Sequence, residues 1–346
     1  MRVALDATYA VDPQPTGVAR YSHRLIAALA ALREPDLHLL LAARPKRFPA
    51  LRRAFPGLRH ALLQEPLFLP RNADLFHGLN QRLPRHRFRR QVVTIHDVFA
   101  LSSERYSTPD FRRRFTQMLR DAVLRADHFI TVSAYTRDEL CRHLGVDPAC
   151  VTVIHHGVDR VPRLQPPASS LQPLLLSVGA VQVRKNTLAA VQVLERLPKT
   201  VRLAVAGGSG YGAEEVYDYV RNNGLSDRVE FLGHTGEEHL DALYARASLL
   251  IFPSIEEGFG LPVIEGMARG LPVVASNSSS LPEICGDAAL LADAHDIGGL
   301  AEACRRILDD SALRADLVER GLRQAARFSW EKAARETLAV YRRVTA

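Results

Sequence analysis

The sequence predicts an α/β protein with two parallel-sheet domains, and three observations carry that reading. Short apolar strands alternate with amphipathic helical stretches along the chain, the pattern of parallel strands joined by crossover helices. At 346 residues the chain is too long for one ordinary domain and suits two. The alternation is interrupted at Arg160–Pro173, where four prolines, two serines and no periodicity mark a linker, and then starts again. A hydrophobic share of 47% against 24% charged residues fits a globular protein with large cores.

In the first half, Arg2–Leu5 reads as a strand at the very start, so no signal peptide is expected. Helix Val18–Leu32 follows, then strands Leu37–Leu41, Leu75–Phe76 and Val92–Ile95, each a short apolar run. Helix Pro109–Arg125, strand Phe129–Val132, helix Tyr135–Leu144 and strand Val151–Ile154 complete it. The second half opens with strand Leu174–Val178 and a helix from Thr187. Strand Leu203–Ala206, helix Glu214–Asn222, strand Val229–Leu232 and helix Glu237–Arg246 lead to the apolar strand ending at Phe252. Helices near Ile297–Leu308 and over Ser311–Arg327 follow, and after a break at Phe328-Ser329 the last helix runs from Trp330 to Val344. Domain boundaries are expected at 1–165 and 166–328.

Net charge is +7, and the excess is uneven. Arg82–Arg90 carries five arginines and His86, and Arg112-Arg113-Arg114 opens a helix that also holds Arg120 and Arg125. No nucleic-acid motif accompanies this charge, so nucleic acid is not an expected partner. A basic surface beside aromatic residues suits an anionic membrane surface or a lipid-linked phosphate, with a solvated basic face as the plain alternative. No apolar run is long enough to span a bilayer. Cys141, Cys150, Cys285 and Cys304 lack metal or redox spacing and read as free thiols of a reducing cytoplasm.

The most informative stretch is Phe252–Glu283. Strand Ser248–Phe252 is broken by Pro253 and by Gly258–Gly260. Pro262 suits the first position of a helix, Gly270 stops that helix, and Pro272–Ala275 restarts a buried strand. A helix N-terminus facing a glycine loop at a strand's carboxyl end binds anions. Glu257 in the loop and Glu265, expected in the first helical turn, flank it and can accept hydrogen bonds from sugar hydroxyls. A phosphate cradle between two carboxylates suits a nucleotide sugar. The segment Gly179–Asn186 places Arg184 and Lys185 between a strand end and a helix start, where two fixed charges can stabilise a leaving diphosphate.

The spacing Glu257-x7-Glu265 around Glu-Gly-Phe-Gly-Leu-Pro, with its Pro-Val-Val-Ala-Ser sequel, resembles the retaining glycosyltransferases of the family 4 type. The resemblance spans nearly the whole chain. It implies the GT-B fold: two Rossmann-like doubly wound domains facing a cleft, with the C-terminal helix, residues 329–346, crossing back to the first. It implies a donor held mainly by the second domain: Arg184 and Lys185 on the diphosphate, Glu265 on the ribose, and Glu257 with Gly258, Phe259, Gly260 and Leu261 on the donor sugar and its phosphate. His96, at the carboxyl end of a strand in Thr94-Ile95-His96-Asp97, corresponds to the histidine that approaches the donor sugar, and Asp97 is placed to orient it. His96, Glu257, Arg184 and Lys185 are the expected catalytic group. Gly17, in a loop resembling Gly-x-Gly-Arg-Tyr with Ala19 in place of a glycine, is expected close to phosphate. Gly207, in Ala206-Gly207-Gly208-Ser209-Gly210, borders the nucleotide pocket in this resemblance, and His234 and Thr235 lie by the base. Val183 stands where the family has proline, and His156 where it has asparagine. The pair His155-His156 reads as a hinge and not a zinc site, since neighbours on a strand point to opposite faces.

The segments near His96, Thr131–Ser133 and Ser279–Glu283 look like those of bacterial mannosyltransferases and related enzymes of polysaccharide assembly. GDP-mannose is therefore the expected donor, with GDP-rhamnose or a UDP-hexose behind it, and a lipid-diphosphate-linked saccharide the expected acceptor. Neither metal nor cofactor is expected, because no Asp-x-Asp cluster is present and the two cations supply the charge. A non-transferring sugar-nucleotide enzyme and a non-catalytic binding subunit are the other classes consistent with the fold. The expected location is the cytoplasm, peripherally at the inner membrane face.

Overall fold

The structure is a computed structural model that describes residues 1–13, 16–159 and 172–346. Of the linker expected over Arg160–Pro173, residues 160–171 lie outside the described residues, as does Pro15 of the loop before Gly17. The chain forms two compact units. The first comprises Met1–Ser102, Pro109–Gly157 and Phe328–Ala346; the second comprises Ser103–Thr108 and Val158–Arg327.

The first unit is built on a seven-stranded sheet in the order β3-β2-β1-β4-β5-β6-β7, parallel throughout. The strands are β1 (Arg2–Asp6), β2 (His38–Ala43), β3 (Arg59–Leu62), β4 (Leu75–Gly78), β5 (Gln91–Ile95), β6 (His128–Thr131) and β7 (Val151–Val153). β1 is central, with Val3 opposite Leu39 on one side and Leu75 on the other. Its core joins Val3, Leu5, Leu25, Ile26 and Leu29 to Ala333, Leu338 and Tyr341 of the helix Trp330–Thr345. Tyr341 is fully buried, and its hydroxyl bonds His77 Nδ1 at 2.6 Å. His77 Nε2 in turn meets Thr94 Oγ1, which also bonds the Tyr21 hydroxyl. This satisfied chain of polar groups is what allows a histidine to sit neutral in the core, burial pushing it down to about 3.

The second unit carries a six-stranded parallel sheet in the order β10-β9-β8-β11-β12-β13. These are β8 (Leu174–Val178), β9 (Arg202–Ala206), β10 (Val229–Gly233), β11 (Leu249–Phe252), β12 (Val273–Ser276) and β13 (Leu290–Ala292). The period-two alternation of strands sorts their residues into two cores. Leu175, Leu203, Val205, Leu249, Ile251 and Val274 pack on one face, and Leu176, Ala204, Leu250, Phe252 and Val273 on the other. Strand order reverses between β8 and β11, the place where open α/β sheets bind ligands at their carboxyl ends.

Two edge strands lie outside the expected set. β3 (Arg-His-Ala-Leu) and β13 (Leu-Leu-Ala) are short and half-buried, so neither shows the apolar run that marked the central strands. The helices Phe48–Ala54 and Leu281–Cys285 were likewise too short for a helical period to register. All four cysteines are free, and burial pushes Cys285 and Cys304 up to about 12. Among the described residues, no helix is long and apolar enough to cross a membrane.

Candidate active site

In the second unit, the loops after β8 and β11 meet at the point of strand reversal. The chain leaves β8 through Gly179, whose φ of +137° is accessible chiefly to glycine. It then makes a tight 3₁₀ turn over Val183–Lys185 before the helix Thr187–Glu195. Asn186 takes a left-handed conformation between the two and donates to the Pro253 and Ala294 carbonyls at 3.1 and 2.7 Å, tying the turn to the loops after β11 and β13. Gly207 packs directly on the carbonyl of Gly179: an added Cβ would lie 2.0 Å from that oxygen.

The cation pair lands on the glutamate loop. Arg184 Nη1 donates to the Glu256 carbonyl at 2.6 Å and lies 3.4 Å from Glu257 Oε2, while Lys185 Nζ donates to Glu257 Oε1. Burial acts to raise the Glu257 carboxyl, but Lys185 and Arg184 outweigh it and hold it below its ordinary value. The backbone N–H of Glu257 donates to Ser279 Oγ at 2.9 Å. Ser280 Oγ donates to the Glu257 and Phe259 carbonyls at 2.9 and 3.0 Å. The serine run after β12 thus braces a loop whose Gly258, Phe259 and Gly260 are all buried. Gly260, at φ +100°, caps the helix Leu261–Ala268, aiming its free N–H groups at the loop.

Two expected details are corrected. Pro262 occupies the second helical position, because Leu261 is already helical. Glu265 therefore falls beyond the first turn, where it is buried and its Oε2 accepts from the Tyr244 hydroxyl at 3.1 Å. Tyr244 is a partner the sequence reading missed; a tyrosine on helix Glu237–Arg246 carries no motif that would reveal it. Arg269 lies 4.9 Å over the Tyr244 ring and bonds the Glu265 carbonyl at 3.1 Å. At the end of β10, His234 is exposed and Thr235 Oγ1 donates to the Gly233 carbonyl at 3.2 Å.

The short segment Ser103–Thr108 also belongs to this unit and packs against the Val183–Lys185 turn. Burial and then the Glu256 charge push the Tyr106 hydroxyl up, with Arg184 opposing them. Nothing in the spacing around Tyr106 pointed to this placement.

In the first unit, His96 is buried just beyond β5 and its Nε2 meets the Leu79 carbonyl at 2.9 Å. The bond to the ring thus comes from the backbone of Leu79, in place of the expected Asp97. Burial pushes His96 down to about 4, so the ring is neutral near neutral pH. Tyr21 sits edge-on to it at 4.7 Å and stacks on His156 at 4.8 Å. His155 turns instead to Phe328. Gly157, where the first unit ends, abuts Trp330: an added Cβ would lie 2.2 Å from the Trp330 nitrogen. Gly17 is the first residue of the helix Gly17–Ala31, with Thr16 Oγ1 capping the Ala19 N–H.

Two family descriptions match the chain. Residues 164–324 match the family described as glycosyl transferases group 1, and residues 15–161 match glycosyltransferase family 4. The chain is 31% identical to O-antigen chain mannosyltransferase B of Escherichia coli, over 97% of this chain and 98% of that protein. It is 27% identical to the serotype-specific mannosyltransferase WbdA of Escherichia coli over 70% of this chain, but spans only 32% of that longer protein. Among solved structures, Anabaena Alr3699/HepE in complex with UDP-glucose superposes with a TM-score of 0.75 at 17% identity, covering 98% of this chain and 100% of that one. The chain belongs to the family 4, group 1 glycosyltransferases and is a glycosyltransferase of the GT-B fold.

Proposed function

We propose that the protein is a retaining mannosyltransferase that takes mannose from GDP-mannose and adds it to a lipid-diphosphate-linked saccharide in surface polysaccharide synthesis. The observation that carries the donor half is the convergence of Arg184 and Lys185 on Glu257 in front of the helix Leu261–Ala268. In the free protein, Glu257 is the counter-ion of both cations. A bound diphosphate shares those cations and frees a carboxylate oxygen for a sugar hydroxyl. As the glycosidic bond breaks, charge develops on the departing phosphate, and Arg184, Lys185 and the helix N–H groups are already in place to receive it. These fixed cations are taken as the counter-charge, with no metal needed for transfer. Glu265, fixed by Tyr244, accepts from the ribose hydroxyls. His96 stays neutral and offers its backbone carbonyl or ring edge to the sugar. Transfer proceeds by a front-face, oxocarbenium-like path in which the leaving phosphate takes the acceptor proton.

The mannose assignment is supported by the full-length likeness to an O-antigen chain mannosyltransferase. The acceptor assignment and a peripheral place at the inner membrane face are supported by the basic first unit. The test is calorimetric titration of GDP, UDP, GDP-mannose and UDP-hexoses, with and without a chelator. Selective, chelator-insensitive binding of GDP and GDP-mannose is the expected result. Preference for UDP overturns the mannose donor, and no binding of any nucleotide overturns the catalytic reading.

A further inference from the structure

The first unit has a groove of about 1160 Å³, lined among others by Asp6, Arg44, Lys46, Arg82, Arg114 and Phe111. It opens where strand order reverses between β1 and β4, at the carboxyl ends of the strands. Its acids are already engaged. Asp12 pairs with Arg47 at 3.4 Å, Asp121 with Arg125 at 3.8 Å, and Glu65 accepts the His86 N–H at 2.7 Å. Asp6 Oδ1 accepts from the Thr8 N–H and hydroxyl. Arg44, Lys46, Arg82 and Arg114 form no salt bridge among the described residues. Arg44 and Arg82 share the charge of Asp6, while Lys46 and Arg114 have no carboxylate within salt-bridge distance among the described residues; four cations around one concavity raise the local concentration of anions. Phe111 and Phe115 stack on the wall between them, and stacked rings suit the apolar faces of sugars or isoprenoids.

Three exposed apolar side chains stand close in sequence to lining residues of the groove. Gln64 and Phe68 exchange both backbone hydrogen bonds at 2.8 Å, so the segment between them reverses tightly next to the lining residue Glu65. Leu67 is 74% exposed and Phe68 50%. Leu124, 80% exposed, directly precedes the lining residue Arg125. Large apolar side chains this exposed, beside a cluster of cations, match a ligand with an anionic head and a hydrocarbon tail.

We propose that this groove holds the diphosphate of a lipid-carried acceptor: Arg44, Lys46, Arg82 and Arg114 on the anion, Asp6 accepting a saccharide hydroxyl, and Leu67, Phe68 and Leu124 where the hydrocarbon leaves. The inference rests on the reading of the acceptor as a lipid-diphosphate-linked saccharide, and it assigns that acceptor a site and a direction.

The test titrates farnesyl diphosphate and inorganic diphosphate into the full chain already saturated with its nucleotide, so that the donor site is filled. The wild type should bind both, farnesyl diphosphate more tightly. Arg44→Gln with Arg114→Gln should weaken both by about tenfold, roughly one charge-assisted hydrogen bond. Leu67→Ser with Phe68→Ser should erase the advantage of the farnesyl chain and leave inorganic diphosphate binding intact. A wild-type unfolding profile by calorimetry in each variant shows that the first unit folds, and unchanged nucleotide binding separates this result from failure of the donor assignment. Absence of diphosphate binding to the nucleotide-saturated protein overturns the proposal, as does binding indifferent to the arginine substitutions. Binding of both variants to anionic vesicles without any farnesyl diphosphate binding also overturns it, in favour of a general surface attraction.

Discussion

Replacing Glu257 with glutamine removes the negative charge from a buried three-member cluster while keeping its shape. The side chains of Arg184, Lys185 and Glu257 are only 10%, 16% and 7% exposed, so water cannot compensate the two cations left behind. At 3.4 Å and an effective dielectric constant of about 20, the Arg184 contact gives roughly 5 kcal/mol of attraction before desolvation is counted, and the closer Lys185 contact gives more. Glutamine relieves the desolvation of the carboxylate, and its amide oxygen keeps one acceptor, which offsets part of the loss. Removing one partner of a buried pair costs about 3–5 kcal/mol in general, so a destabilisation of about 3 kcal/mol is expected here. For a unit of this size that is a fall in Tm of roughly 6–12 °C. The assay is calorimetric unfolding of the wild type, Glu257→Gln, Lys185→Met and the double variant. The double variant should be less destabilised than the sum of the two. The sign with pH also follows. The folded carboxyl titrates below its ordinary value of 4.5, so its contribution is complete above that value and is lost as pH falls through the lower, folded value. The glutamine variant should lack that acid limb. A Tm change below about 2 °C, or strict additivity in the double variant, would refute the view that these charges stabilise one another.

Three further outcomes are expected. Tyr244→Phe removes the hydroxyl on Glu265 and should cost about 1–2 kcal/mol and weaken binding of the nucleotide more than of inorganic diphosphate, as read by unfolding and titration calorimetry. Gly207→Ala drives a Cβ to 2.0 Å from the Gly179 carbonyl, so the loop after β8 must move; loss of nucleotide binding together with lowered Tm is expected, and a wild-type affinity would contradict the packing described. For His96, held at about 4 against an ordinary 6.5, the stabilisation is full above pH 6.5 and is lost as pH falls toward 4; His96→Gln should make this acid loss shallower in urea unfolding, though not abolish it, because His77 titrates in the same direction.

The central strands were legible because burial on both faces leaves a continuous apolar run, as in Leu249–Phe252 and Val273–Ala275. The edges β3 and β13 were not, since one side of each is open to water and the composition is correspondingly mixed. The same division runs through the site. Glycines at positive φ and a cation pair between strand and helix leave a mark in the local sequence, so Gly179, Gly260, Arg184 and Lys185 could be read directly. Tyr244 and Tyr106 meet the site only through tertiary packing, over separations of 21 residues from Glu265 and far more from Arg184, and local spacing carries no trace of that. The partner of His96 was misread for a related reason. A neighbouring carboxylate is visible in sequence, whereas a backbone carbonyl such as that of Leu79 is offered by every residue.

The helix Trp330–Thr345 shares one core with β1 and the helix Gly17–Ala31, so the first unit is assembled from both ends of the described chain. On the ribosome, residues 1–157 emerge long before the segment that closes their core. During that interval the surface later covered by Ala333, Leu338 and Tyr341 is open, with His77 lacking its phenol partner. The second unit draws on Ser103–Thr108 and Val158–Arg327, all of which precede the last helix in synthesis. Its loops after β8 and β11 can therefore be complete while the first unit is still waiting for its closing helix. A nascent chain of this design passes through a stage in which the second unit is complete and the first is not, and it is then most exposed to chaperones and proteases.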